Sequence, residues 1–136
     1  FWDIAKHTKK PFVASHSNAR ALCGHARNLT DDMIRVIADR GGVIGLNCYG
    51  RFLNAVNDDS SSVARLAEHA RHILNVGGGE CLALGTDFDG MNGRLEMQDC
   101  SQIYKLVREL EHKHFTDNEI ENILSQNVMR VYKELL

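Results

Sequence analysis

Short apolar runs recur along the chain, and within each run hydrophobic residues follow one another without polar alternation. The runs are residues 11–15 (PFVAS), 41–47 (GGVIGLN) and 81–87 (CLALGTD). This pattern is typical of short strands that are buried on both faces, as in parallel sheets. We therefore predict three parallel strands.

Segments with helical spacing of apolar residues lie between these runs. Residues 28–42 place a capping residue, Thr30, before an apolar face that stops at Gly41, and residues 60–79 carry a longer apolar stripe that ends at Gly77. Strands and helices that alternate in this order predict right-handed βαβ units.

The last third of the chain is helical in pattern. Residues 99–114 repeat the helical spacing, and residues 115–136 open with a capping box from Thr116 to Glu119. A sheet of three parallel strands would have two bare edges, and a closed (β/α)8 barrel needs about 250 residues. Because this chain has 136 residues, we predict an α/β fold in which residues 1–136 form a single unit that is part of a TIM-type barrel, or one chain of an assembled barrel.

Charge and composition restrict the partners. Lys and Arg (16) nearly balance Asp and Glu (18) for a formal charge of −2, and no basic stripe with interleaved aromatics suggests nucleic acid. No apolar run approaches the roughly 20 residues that span a bilayer, and the first residues lack the order of a signal peptide. Four cysteines without CxxC spacing favour reduced thiols in a cytoplasmic protein. The sequence therefore favours a small-molecule site.

Polar residues follow each apolar run. His16, Asn47 and Asp87 stand at or just after the three predicted strands, and the carboxyl ends of barrel strands converge on one mouth. A histidine and an aspartate there suit a hydrolytic metal site. The alternatives are a histidine that only bonds a neighbouring loop, and a turn in the DFDG segment closed by Gly90.

Two further candidates lie in the CGHARN segment. His25 is nine residues from His16, which is not a helix-face ligand spacing, so we interpret it as a site neighbour rather than a metal ligand. Arg27 could hold a carboxylate through two parallel hydrogen bonds; the alternative is a surface arginine, although a cation before a helix N-terminus gains nothing from the helix dipole.

The other histidines are interpreted as structural or solvated. His69 and His72 are expected at the polar edge of a helix and the others at a helix end or in a basic surface segment. These others are His7, His112 and His114.

Four segments resemble, in order, motifs of the membrane dipeptidase (renal dipeptidase, peptidase M19) family of amidohydrolase-like barrels. They are residues 11–32 (PFVASHSNARALCGHARNLTDD), 41–53 (GGVIGLNCYGRFL), 82–90 (LALGTDFDG) and 121–135 (ENILSQNVMRVYKEL). The resemblance implies that this chain is the C-terminal part of the barrel, about three βα units plus terminal helices, and that the N-terminal half is absent from it. It also implies a pair of zinc ions, bridged by a glutamate and by water or hydroxide, that hydrolyses dipeptides by hydroxide attack on the peptide carbonyl.

The resemblance also implies roles for individual residues. His16 falls on the histidine of the family's SHS motif, a zinc ligand, and Arg27 falls on the arginine of its RN motif, which holds the dipeptide's terminal carboxylate. Asp87 falls on the first aspartate of DFDG, the acid/base. Some members lack a histidine at the position of His25, and Asn47 is implied only as a residue lining the site.

Asn127 falls on the apolar stripe of the last helix, and the family usually has asparagine there too. We expect its buried amide to bond main-chain groups near the barrel mouth.

The same resemblance shows a gap. The family's His-x-Asp, its bridging glutamate and an earlier histidine ligand have no counterpart in this sequence, and one histidine cannot hold zinc in a four-coordinate site. We therefore expect the chain alone to be inactive and an N-terminal half, in the same protein or a separate chain, to complete it; homo-oligomers are left open. The alternatives are another amide or lactone hydrolase on the same barrel, or a catalytically incomplete fragment that acts as a structural partner.

Overall fold

The computed structural model describes residues 1–55 and 58–136. Its α-helices are between 4 and 15 residues long. They are α1 (Trp2–His7), α2 (Asp31–Asp39), α3 (Gly50–Leu53), α4 (Val63–Gly77), α5 (Ile103–His112), α6 (Asp117–Glu121) and α7 (Asn127–Leu135). The strands are β1 (Val13–Ala14), β2 (Val43–Leu46), β3 (Ser60–Ser61), β4 (Leu82–Leu84) and β5 (Arg94–Leu95).

The three predicted strands form one parallel sheet in the order β1, β2, β4. Val13 pairs with Val43, and Ile44 pairs with Leu82. The helices α2 and α4 connect consecutive strands, as predicted for βαβ units. Because all three strands run the same way, their carboxyl ends lie at one edge of the sheet.

The predicted helix signals are confirmed. The Thr30 side chain accepts a hydrogen bond from the Met33 N–H and begins α2, and α4 ends at Gly77. Thr116 and Glu119 form the predicted capping box at α6. A π-helical turn over Asn122–Gln126 connects α6 to α7, so the predicted last helix is interrupted.

The main core lies between the sheet and its helices. Ile44 and Leu82 from the sheet pack with Ile34 and Ile37 of α2 and Ile73 of α4, all fully buried. On the other face of the strands, Val131 of α7 packs against Val43 and Ala83. The whole of β2 is thus buried, as are Leu82 and Ala83 of β4, which explains the lack of polar alternation in these two strands. In β1, at the edge of the sheet, Val13 is 48% exposed, so the expected burial on both faces does not hold there.

Some elements lie outside the sequence prediction. These are α1, α3 and the small parallel pair β3–β5, in which Ser60 lies beside Arg94. Each is only two to six residues long, too short for a periodic pattern to reveal. None of the helices in the described part of the chain is both long and apolar enough to cross a lipid bilayer.

Two sequence expectations were wrong in their placement. Asn127 is buried, but its amide donates to the carbonyls of Gly79 and Leu82 at 2.8 Å each, at the amino end of β4 and not near the mouth. His69 is fully buried and not at a polar helix edge. It lies three residues after Leu66 and four before Ile73, so helical geometry places it on the apolar stripe.

Candidate active site

His16 is held at the carboxyl end of the sheet by the main chain on both of its sides. The Ser17 N–H donates to the Gly45 carbonyl at 2.8 Å. The Ser15 carbonyl oxygen lies so close to Gly45 and Gly85 that a Cβ atom on either glycine would overlap it. Glycine at these two positions therefore lets the backbone before His16 reach the strand ends.

The hydrogen bonds of the His16 ring fix its tautomer. Nε2 lies 3.1 Å from Nη2 of Arg27, and Nδ1 lies 2.8 Å from the Ser15 hydroxyl oxygen. Because a guanidinium group can only donate, Nε2 must accept and Nδ1 must carry the proton. The oriented Nδ1–H suits a histidine that binds a metal through Nε2. Arg27 occupies the Nε2 lone pair here, so a metal would bind there only after the guanidinium had turned away.

Arg27 lies beside His16 on an exposed loop. His25 supports it, since Nδ1 of His25 accepts a hydrogen bond from the Arg27 N–H at 3.1 Å. The His25 ring packs on Phe52 at a centroid distance of 4.6 Å, and the Arg27 guanidinium lies 5.8 Å from the same ring. Within residues 1–55 and 58–136, no acidic side chain pairs with the Arg27 guanidinium, so it is available to an anionic ligand.

Asp87 follows β4 in a left-handed backbone conformation. Its φ is +62°, which aspartate tolerates better than most residues. The Gly90 N–H donates to the Asp87 carbonyl at 3.0 Å, and a Cβ on Gly90 would overlap the carboxylate. The DFDG segment is therefore a tight turn in which the Asp87 carboxylate lies against Gly90.

Cys48, just after β2, lies near the Asp87 carboxylate. Burial, together with the negative charge of Asp87, raises the pKa of the Cys48 thiol to about 12. The Cys48 N–H also donates to the Thr86 carbonyl at 3.3 Å. Asp87 therefore lies beside the end of β2, and the Cys48 thiol stays protonated near neutral pH.

Asn47 belongs to a buried network of asparagines. Its N–H donates to Oδ1 of Asn18 at 2.9 Å, and its own Oδ1 accepts from the Tyr49 N–H at 2.6 Å. Asn28 joins the network through its Oδ1, which accepts from the Asn18 N–H at 3.2 Å. All three asparagines are at most 1% exposed. Nδ2 of Asn47 has no hydrogen-bond partner among the residues that the structure describes.

The structure brings together some of the candidates and not others. His16 contacts Arg27, and His25 contacts the Arg27 backbone. In the described part of the chain, no hydrogen bond or ion pair joins Asp87 to either His16 or Arg27. A cavity of about 710 Å³ opens beside residues 22–26. His25 lines this cavity, but His16, Arg27 and Asp87 do not.

Comparison with known proteins identifies the family. Residues 1–135 match the model of the membrane dipeptidase family, peptidase family M19. The chain belongs to this family. The resemblance seen in the sequence motifs of the membrane dipeptidases is thereby confirmed.

Curated relatives extend beyond the matched region. The chain is 37% identical over 137 residues to an uncharacterised protein in the pqqA 5′ region of Klebsiella pneumoniae, covering 99% of this chain and 51% of that protein. It is 36% identical to an uncharacterised dipeptidase of Schizosaccharomyces pombe, covering 97% of this chain and 32% of that protein. The chain thus spans about half or less of the length of these two relatives.

Solved structures confirm the fold class. A metallo peptidase from Rhodobacter sphaeroides, liganded with a phosphinate mimic of the dipeptide L-Ala-D-Ala, superposes with a TM-score of 0.92 at 24% identity, covering 98% of this chain and 39% of that one. The dipeptidase AC, a metallo peptidase of family M19, gives 0.87 at 26% identity, covering 97% and 38%. The α/β fold with parallel strands is therefore part of the TIM-type barrel of the membrane dipeptidases.

Membership in a metallopeptidase family implies a metal, and the donor set here fits it only in part. The tautomer of His16 suits a ligand, but in the described part of the chain no three His, Cys, Asp or Glu side chains lie together to hold an ion. These described residues therefore do not by themselves form a complete metal site.

Sequence reasoning missed the residues that support the site. Asn18, Asn28 and His69 are buried polar residues, and Arg20 bonds the loop that carries Arg27. Only His69 carried a usable signal, its place on the apolar stripe of α4. The others act through partners up to 34 residues away, which no local pattern in a membrane dipeptidase sequence reveals.

Proposed function

We propose that the complete protein is a zinc-dependent dipeptidase to which this chain contributes a ligand, a substrate clamp and an acid/base. The observation that carries the proposal is the 3.1 Å contact between Nη2 of Arg27 and Nε2 of His16. It is supported by the membership of the chain in the membrane dipeptidase family. A cation for the substrate and a candidate metal ligand therefore lie side by side.

Arg27 binds the terminal carboxylate of the dipeptide. Its exposed guanidinium is planar and can donate two parallel hydrogen bonds to a carboxylate. A dipeptide held in this way places its free carboxylate one residue beyond the bond to be cleaved. The proposal therefore predicts a preference for dipeptides over longer peptides.

Asp87 moves the proton. Its carboxylate lies on the 87–90 turn that follows β4, where it can take a proton from the attacking water and pass it to the leaving amine. Zinc, when bound by the complete protein, would supply activation of that water and polarisation of the carbonyl. His16 would be the zinc ligand from this chain, oriented by its Nδ1–H bond to Ser15.

The test is steady-state hydrolysis of a dipeptide and of its C-terminal amide by the complete protein. Wild type should prefer the dipeptide through a lower KM, and Arg27→Lys should raise KM for the dipeptide by about tenfold while changing that for the amide little. Asp87→Asn should lower kcat by at least about 100-fold. Arg35→Lys, on the exposed face of α2, is the matched control and should leave both constants unchanged.

The results can also contradict each role. Equal KM values for the dipeptide and its amide in wild type would remove the clamp, and a kcat within a few-fold of wild type in Asp87→Asn would remove the acid/base. Hydrolysis of lactones but not dipeptides would indicate another hydrolase of the same fold.

A structural role is the second candidate. It is favoured by the absence of three clustered metal-binding side chains among residues 1–55 and 58–136. Metal analysis of the complete protein separates the two candidates: about two zinc ions per site favour the enzyme, and none favours the structural partner.

A further inference from the structure

The loop that carries Arg27 is closed at its base by main-chain bonds. We call residues 19–29 the arginine loop. Ala19 and Leu29 form a parallel bridge, the Arg20 N–H donates to the Leu29 carbonyl at 2.8 Å, and the Leu29 N–H donates to the Asn18 carbonyl at 2.8 Å. These bonds join the two ends of the loop, and Arg27 lies two residues before Leu29.

Arg20 reaches across this loop to the two residues that flank Arg27. Its Nε donates to the Asn28 carbonyl and its Nη2 donates to the Ala26 carbonyl, each at 2.8 Å. Arg27 and Asn28 lie between those two carbonyls. One guanidinium thus bonds the peptide group immediately before the candidate substrate clamp and the peptide group that follows Asn28.

The chemistry of this contact requires arginine. A guanidinium presents several N–H donors in a rigid planar fork and can bond two carbonyls at once, whereas the single ammonium of lysine is a point charge on a flexible stem. The contact also differs from a surface ion pair, since both acceptors are main-chain carbonyls. Its geometric consequence is a fixed backbone at Arg27.

We propose that Arg20 is a positioning residue, which acts through Arg27 to hold its guanidinium where it meets the substrate carboxylate. This proposal rests on the proposed clamp role of Arg27. Without the Arg20 fork, the 26–28 backbone would sample more conformations, and ordering it on binding would weaken substrate affinity. Because Arg20 bonds no other candidate site residue, the bond-breaking step itself should be little affected.

Arg130 offers a matched control within the same chain. It also donates to two main-chain carbonyls, those of Gly41 at 2.7 Å and Glu80 at 2.9 Å. These carbonyls lie before β2 and before β4, at the end of the sheet opposite the site. Replacing either arginine removes two hydrogen bonds to main-chain carbonyls, but only those of Arg20 go to the residues on either side of Arg27.

The experiment compares Arg20→Met, Arg20→Lys and Arg130→Met in the complete protein, each with and without Arg27→Ala. We expect Arg20→Met to raise KM for a dipeptide by about tenfold, with kcat within about twofold of wild type. Arg20→Lys should restore little of the loss, and Arg130→Met should lower stability without raising KM. In the Arg27→Ala background, Arg20→Met should have no further effect on KM.

Amide hydrogen exchange over residues 20–29 is the second readout, and it does not depend on catalysis. Exchange there should be faster in Arg20→Met and unchanged in Arg130→Met. Unchanged exchange and unchanged KM in Arg20→Met, or an equal rise of KM in the Arg27→Ala background, would overturn the positioning role while leaving the dipeptidase proposal intact. Conversely, faster exchange in Arg20→Met together with a wild-type protein that cleaves no dipeptide would remove the proposed function and leave Arg20 as the residue that orders the loop.

Discussion

At the scale of single residues, the site depends on two positions that carry no side chain. Gly45 in β2 and Gly85 after β4 both lie against the Ser15 carbonyl oxygen, which directly precedes His16. Any side chain at either glycine would meet main-chain atoms, and these cannot move aside as a flexible side chain can. The position of His16 is therefore set by two strands other than its own.

Gly85→Ala should accordingly disturb both stability and the site. We expect the free energy of unfolding to fall by about 3 kcal/mol, because overpacking against backbone forces strands or loop apart, and kcat to fall as His16 moves. Denaturant titration and dipeptide kinetics measure the two effects. Gly79→Ala is the control, since a Cβ there meets nothing within 4 Å; a similar loss in both variants would contradict this explanation.

At the scale of elements, α4 is joined to the arginine loop through a buried histidine. Nδ1 of His69 accepts from the Ala19 N–H at 3.1 Å, and Nε2 donates to the Leu53 carbonyl at 3.0 Å. This arrangement needs a neutral ring, since a protonated Nδ1 would face another N–H. Burial, opposed in part by the bond to Leu53, lowers the pKa of His69 from 6.5 to about 4.

The shift predicts a pH dependence of stability. Between about pH 6.5 and 4 the unfolded state binds a proton that the folded state does not. The free energy of unfolding should therefore be constant above about pH 6.5 and fall as the pH decreases toward 4, by up to about 3 kcal/mol. His69→Gln should remove this slope, whereas His112→Gln, exposed at the end of α5, should retain it. A slope that persists in His69→Gln would assign it to other groups.

At the scale of the whole molecule, the candidate site residues and the contacts of the last helix lie at opposite ends of the sheet. The carboxyl ends carry His16, Asn47 and Asp87, while α7 closes the amino ends through Asn127 and Arg130. Asn127 satisfies two carbonyls at once. This division lets the last helix stabilise the sheet without contributing to the site.

Asn127→Ala should therefore separate stability from activity. It leaves the buried Leu82 carbonyl and the part-buried Gly79 carbonyl without their donor, which should lower the free energy of unfolding by about 2–3 kcal/mol. KM and kcat for a dipeptide should stay unchanged at temperatures where the variant is folded. Thermal unfolding and kinetics check this, with Asn75→Ala on the exposed face of α4 as the control. A change in KM would show that the amino end of the sheet influences the site.

The parts of this fold that sequence predicts are those specified locally. Thr30 and Thr116 each cap a helix by accepting a hydrogen bond from an N–H only three residues later. The apolar runs that contain Val43 and Leu82 can be recognised as strands without knowledge of their partner strands. The strand-end positions of His16 and Asp87 follow directly. Asn18 and His69 depend instead on main-chain groups far along the chain that the fold brings near, and Arg20 depends on the loop conformation that turns the Ala26 and Asn28 carbonyls toward it. For Asn127, periodicity predicts burial but not the end of the sheet at which the residue lies.

The π-helical turn at Asn122–Gln126 has a consequence for how this chain tolerates changes in length. Such a turn contains one more residue than the α-helical turn that it replaces, and each residue of an α-helix turns the chain by about 100°. Because the π-turn and the α-turn each complete about one revolution, deleting Ser125 would convert the segment into a regular helix and leave Asn127 and Arg130 facing the carbonyls that they bond. A residue deleted between Asn127 and Arg130 would instead rotate Arg130 by about 100° relative to Asn127 and break one of these contacts. The turn is therefore the place in the last helix where a change of one residue in chain length is absorbed.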